Sequence, residues 1–288
     1  IKTNSFGEDD KISYELLEFV LHEALTKFKF KTHWNPILSD AGFHSSLTYQ
    51  VRPLTSKKAA LNYLNKLKAI PLYIEQQSEL IRKGLKAGMG QPLVIFKGYE
   101  TTYDQHITPT AEENFYYSPF QSLPNPLSQE EKDSLQKAAK QVVLEQLIPS
   151  FKSVKALFEK VYYPNTRKAI GISETPEGKA YYQSRIDYYT TLEMSPEEIH
   201  QKGLDEVSRI KKQMEAILKE VEFNGSIQEF IAFLRTDPQF YAKTPEELLK
   251  HARNIAKKLD EQLPRFFKTL PRKPYGVAPV PAAIAPKY

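Results

Sequence analysis

The side chains in this chain that could do chemistry are its histidines, serines, glycines and tyrosines, and most fail a test of spacing. A zincin metal site needs His-Glu-x-x-His on one helix, so that two imidazoles share a face and the glutamate can act as base. The nearest segment, His22-Glu23-Ala24-Leu25-Thr26, has threonine in the second histidine position, and reads as a helical histidine beside a solvent-facing glutamate. His33, His44, His106, His200 and His251 lie far apart with no paired spacing. There is no Gly-x-Ser-x-Gly turn for a serine nucleophile. Gly84, Gly88 and Gly90 follow a helical pattern where a phosphate-cradling loop would follow a strand, so helix termination is their expected role. The absence of cysteine excludes a thiolate zinc site, a cysteine nucleophile and a disulfide framework.

The tyrosines remain. Ten of the seventeen fall between Tyr99 and Tyr189, with adjacent pairs at 116–117, 162–163, 181–182 and 188–189. Neighbours on a helix cannot both face one core, so one of each pair is expected at a surface or cleft, where a hydroxyl can hold an oxyanion or carboxylate. The competing role is that of large amphipathic filler with the hydroxyl in water. Tyr181, Tyr182, Tyr188, Thr190 and Thr191 are the candidate cleft wall, because capping and a clean apolar period leave them unexplained. Arg235 is a candidate carboxylate clamp, against an ion pair with Asp237. His200 is a candidate outer donor near the start of a helix, against a core histidine with a satisfied ring. No residue is assigned a catalytic or metal-ligating role.

The elements that must position these residues read as helices. Capping boxes are expected at Ser128/Glu131, Ser195/Glu198, Ser226/Glu229 and Thr244/Glu247, with Pro196 and Pro245 at first helical positions. Behind them run apolar stripes: Leu135, Ala138, Val142 and Leu147; Ile199, Val207, Ile210, Met214, Ile217 and Val221; Leu248, Ala252, Ile255 and Leu259. Leu16, Leu17, Val20, Ala24 and Phe28 form another, and each stripe is expected to be buried. Leu61, Leu64, Leu67, Tyr73, Leu80 and Leu85 suggest a long pair of turns around Pro71. Strand signals are confined to short runs such as Leu93–Phe96. The fold class is therefore all-α: an array of long amphipathic helices with Pro-rich connectors and little or no sheet. One helical region over 1–288 is expected, with a sub-boundary near 118–127. A last helix stopping near Pro264 and an extended Pro-rich tail follow.

The 40 basic and 35 acidic side chains alternate along helix faces instead of gathering in a stripe, which argues against a nucleic-acid partner. No apolar run approaches the ~20 residues of a membrane span.

Several long segments resemble one bacterial family, domain of unknown function 885: SPEEIHQKG with GLDEVSRIKKQM, FIAFLRTDPQFYAKTPEELL, LPRKPYGVAPVP, YLNKLKAIPLYIEQQSELIRKGLKAG, FYYSPFQSLP and GKAYYQSRIDYYTT. The similarity runs in order from about Trp34 to the last residue. It implies a mostly helical protein of zinc-metallopeptidase type, often a lipid-anchored lipoprotein of the cell envelope or periplasm. In that family a His-Glu-x-x-Pro-Gly-His-His segment follows the Tyr-Gly-Val-x-Pro-Val-Pro stretch, whereas this sequence ends at Tyr288 without it. The resemblance thus implies the N-terminal helical half of a zinc-dependent peptidase-like hydrolase. No cofactor is expected in this chain, and zinc (Zn) is expected in the full-length protein. Its expected partners are its own C-terminal half and a peptide substrate. The alternative is a catalytically inert helical binding or scaffold module that recognises a peptide or an envelope component.

Overall fold

A computed structural model describes residues 6–37 and 41–280; the tail beyond residue 280 lies outside the described residues. The chain forms the helices α1 (Glu8–Lys29), α2 (Lys57–Lys86), α3 (Thr101–Asp104), α4 (Ser118–Gln121), α5 (Gln129–Val142), α6 (Ile148–Leu157), α7 (Gly178–Thr190), α8 (Pro196–Glu220), α9 (Ile227–Thr236) and α10 (Pro245–Phe266). No strand occurs among the described residues, only isolated bridges pairing Ile37 with Gly42 and Pro92 with Arg167. The all-α expectation holds. Leu93–Phe96, the strongest strand candidate, is a 3-10 turn.

Two compact units divide the chain at Ser195/Pro196, so the Pro-rich segment 118–127 lies inside the first. The core of that first unit is aromatic. α2 supplies a stripe of Tyr63, Leu64, Leu67, Ile70, Ile74 and Ile81, all buried at helical spacing. Around Pro71, where a long pair of turns is expected, α2 runs through the proline as one helix of 30 residues. Its Ser56 cap and the packing on both sides of Pro71 hold the helix together despite the missing N–H. Leu61, assigned to the stripe, is 42% exposed.

Opposite α2, a nearly continuous helical rod runs from Gln129 to Tyr162, with π turns at Val143–Leu147 and Phe158–Tyr162 joining and extending α5 and α6. Each wide turn places two neighbouring residues in the core, Val142 with Val143 and Leu157 with Phe158. Phe158 is the hub: its ring lies 5.1 Å from Tyr99, 5.7 Å from Tyr103 and 6.1 Å from Phe96.

The tyrosine pairs partly break the rule that one member must be at a surface. Tyr116 and Tyr117 are both buried, because they sit on a 3-10 turn between α3 and α4 instead of an α-helix. Tyr162 is buried while Tyr163 is half-buried.

The glycines after α2 terminate it as expected. Gly88 has φ +72°, and the amides of Gly88 and Met89 donate to the carbonyls of Leu85 and Gly84, a Schellman ending that favours a residue without Cβ. Capping boxes form at Ser128 and Ser226. At Thr244 half of one forms: the hydroxyl accepts from Glu247, but the Glu247 carboxylate takes the Lys243 amide.

The second unit differs. Pro196 and Pro245 open α8 and α10 as expected. The stripes behind them, however, lie open: Val207, Ile210, Met214, Leu248, Ile255 and Leu259 are all exposed, as are Leu16, Leu17, Val20 and Phe28 on α1. Leu218 is the buried apolar residue of the second unit among the described residues. A phenylalanine cluster, Phe223, Phe230, Phe233 and Phe240, joins the end of α8 to α9. α10 ends at Phe266, close to Pro264 as expected, with the proline inside its last turn. The extended chain after it turns back, with Arg253 donating to the Val277 carbonyl at 3.0 Å and Tyr275 to that of Ala256 at 3.4 Å.

Candidate functional site

Within the first unit a cleft of about 530 Å³ opens between the end of α1 and the start of α7. Lys27 comes from α1 and Phe30 from its C-cap, Asn35–Ile37 and Ala41–Phe43 from the loop that follows, Met89 and Gln91 from the chain after α2, and Ile172, Thr175 and Pro176 from the turn before α7. Tyr181 closes one side.

The start of α7 is fixed by a close approach of backbone. A Cβ on Gly178 would lie 2.0 Å from the Ile172 carbonyl oxygen, so only glycine lets the 172–174 turn fold against the helix. Three residues on, Tyr181 meets Phe30 edge to face at 5.4 Å. Behind Tyr181, Arg185 holds Glu23 with two hydrogen bonds, Nη1 at 2.5 Å and Nη2 at 2.8 Å. The guanidinium lies 5.2 Å from the Tyr181 ring and 5.5 Å from the Tyr188 ring, and Tyr188 stacks on Phe19 at 5.1 Å. Arg185 bonding holds the Glu23 carboxyl below the usual range, against the opposing push of burial, and Glu23 raises Arg185 in turn. The expected solvent-facing role of Glu23 is therefore overturned: at 7% exposure it is the buried anion that joins α1 to α7.

Tyr162 forms part of the wall behind the cleft. Its hydroxyl accepts from the Gln91 amide and donates to Asn35 Oδ1, both at 2.9 Å, and burial pushes it up to about 12. Gly42 and Phe43 lead directly into His44, which is fully buried. The Thr102 hydroxyl donates its proton to the Tyr99 carbonyl at 2.6 Å, so His44 Nε2, 2.8 Å away, must be the donor to Thr102. Nδ1 is then a bare acceptor, with no partner among the described residues. Burial depresses the imidazole to about 3, leaving it neutral at ordinary pH.

Tyr181 lines the cleft, and Tyr188 shares the Arg185 guanidinium with it. Tyr182 is exposed. Thr190 and Thr191 end α7: Thr190 Oγ1 donates to the Ile186 carbonyl at 2.8 Å, and Thr191 stands at φ +56°. His200 and Arg235 are exposed residues of the second unit, and the Asp237 carboxylate caps the Gln239 amide. Sequence reasoning missed Lys27, Phe30, Asn35, Met89 and Ile172, which lie on turns and helix ends without periodic signal. It also missed Glu23–Arg185, partners 162 residues apart.

Among the described residues no group of three His, Asp or Glu side chains converges to hold a metal.

No curated protein matches the chain. A crystal structure described as "the putative lipoprotein from Colwellia psychrerythraea" superposes with a TM-score of 0.74 at 26% identity, over 82% of this chain. This chain spans 42% of that one. The family described as "bacterial protein of unknown function (DUF885)" matches residues 1–288, and the chain belongs to that family.

Proposed function

We propose that this chain is the N-terminal helical part of a larger zinc-dependent peptidase-like hydrolase, and that its cleft contributes to substrate binding. The observation that carries the reading is the cleft beside Tyr181, with apolar walls and hydroxyl and amide groups at its edges. Family membership supports it, as does the length of the Colwellia chain, of which this one covers less than half. The open stripes of α1, α8 and α10 are further support, since such faces are normally covered by a partner. In this reading the C-terminal half supplies that cover together with the metal ligands. The lipoprotein description of the similar structure supports an envelope location, and no described helix is long and apolar enough to cross a membrane.

The second reading is a catalytically inert helical module that recognises a peptide or an envelope component, for which the cleft alone would serve. The test compares the 288-residue chain with a longer family member for bound zinc and for cleavage of a peptide library. The hydrolase reading expects metal and cleavage in the longer protein alone. Stoichiometric zinc in the 288-residue chain, or neither property in the longer protein, would overturn it.

A further inference from the structure

The charges around the cleft do not balance one to one. Glu23 is one carboxylate between two cations, taken by both terminal nitrogens of Arg185 and approached by Lys27 at 3.1 Å. Two cations face one carboxylate, which leaves one net positive charge, and Lys27 is the more exposed of the two, its side chain 52% exposed at the rim. Lys27 is also the charged residue among the described residues that line the cleft. Beneath it the surface is apolar, made by Phe30, Ile37, Phe43, Met89, Ile172 and Pro176.

The polar edges complete the pattern. The hydroxyls of Thr32, Ser46 and Thr175 each donate to a backbone carbonyl nearby, so toward a ligand they offer acceptor lone pairs. Asn35 uses its Oδ1 on Tyr162, which leaves its Nδ2 hydrogens as donors. Acceptors and an amide donor beside an apolar floor match a peptide unit with an apolar side chain, and the surplus cation matches a free carboxylate.

The geometry points to the cleft as a subsite for the C-terminal residue of a peptide, an apolar side chain on the floor and the terminal carboxylate on Lys27. The inference deepens the proposed function by naming a substrate class. It rests on that reading only in taking the ligand to be a peptide, and it is tested by binding without turnover.

Isothermal titration calorimetry of the 288-residue chain with N-acetyl-Ala-Phe, its C-terminal amide and octanoate decides it. The acid is expected to bind about tenfold or more tightly than the amide, the equivalent of one charge-assisted hydrogen bond. Lys27→Met keeps the alkyl stem, and is expected to bring the acid to the level of the amide. Met89→Trp, which fills the floor, is expected to abolish binding of both. Equal affinity for acid and amide, no acid binding in the millimolar range, or tighter binding of octanoate would each overturn the proposal. The acid-to-amide ratio of the unaltered chain decides even where a variant fails to fold. A longer family member that cleaves nothing would sink the hydrolase reading and leave a measured acid preference standing. Loss of that preference would leave cleavage untouched.

Discussion

The two units use the same helix-forming chemistry and reach different states of burial. In the first, α2 and the α5–α6 rod close over an aromatic core in which Phe158, Tyr103 and Tyr162 are almost completely inaccessible. In the second, capped helices with equally regular stripes leave Val207 66% and Leu248 62% exposed. Amphipathic periodicity therefore states which face of a helix seeks cover, and a separate matter is whether that cover lies within the chain.

The largest expected effects test this contrast directly. Phe158→Ala removes the hub of the aromatic core and is expected to cost about 3–5 kcal/mol, cavity included. Leu248→Ala on α10 is expected to stay within about 0.5 kcal/mol, as for a surface substitution. Urea unfolding of both variants checks the pair, and a cost of several kcal/mol at Leu248 would erase the distinction between the units.

Next comes the joint between α1 and α7. Arg185→Met leaves the buried Glu23 carboxylate with Lys27 as its remaining cation and is expected to cost about 2 kcal/mol, below the roughly 3–5 kcal/mol of a buried charge left unpaired. Adding Glu23→Leu removes that carboxylate and is expected to restore part of that loss. Thermal unfolding of the single and double variants gives the coupling, and additive losses would mean the two side chains do not work as a pair.

Much of the first unit was legible. Leu64 and Leu67, Leu135 and Val142, the boxes at Ser128 and Ser226 and the termination of α2 all follow from local patterns, because caps and stripes are written within a turn or two of sequence. What could not be read shares one cause. Glu23 pairs with a residue 162 positions away, Tyr116 and Tyr117 are jointly buried by a 3-10 turn, and α2 passes through Pro71 because packing outweighs a local breaker. The cleft was reached only through Tyr181. The rest of its lining comes from stretches far apart in sequence, around residues 27–46, 89–91 and 172–176, that the tertiary fold assembles.

A pH experiment sharpens the contrast at intermediate size. His44 has a folded value of about 3 against an ordinary 6.5, so between these limits the unfolded chain binds the extra proton. Stability is fully present above pH 6.5 and falls as pH drops, by up to about 1.4 kcal/mol per pH unit. Glu23, itself depressed, titrates in the unfolded chain at lower pH, so the interval from 6 to 5 weighs the histidine over the acid, and comparison with a His44 variant isolates it. Denaturant melts over that interval are expected to slope less in His44→Phe than in the unaltered protein. Identical slopes would remove His44 as the source.

The smallest effect compares two helix ends built alike. α2 and α8 both end in a Schellman arrangement: Met89 donates to the Gly84 carbonyl, and Phe223 to that of Leu218, each at 2.9 Å. The left-handed position is Gly88 in the first and Glu222 in the second, at φ +72° and +54°. A side chain there costs roughly 1–2 kcal/mol in crowding against the following carbonyl. Gly88→Ala is therefore expected to destabilise by about 1 kcal/mol, and Glu222→Gly to stabilise by less, since added freedom in the unfolded chain offsets part of the relief. Because so little of the second unit is buried, the gain should appear as slower amide exchange around Leu218–Phe223 more clearly than as a shift in global unfolding. Faster exchange there in Glu222→Gly would mean that the Glu222 side chain holds the α8–α9 turn, and that the second unit depends on its polar surface where the first depends on its core.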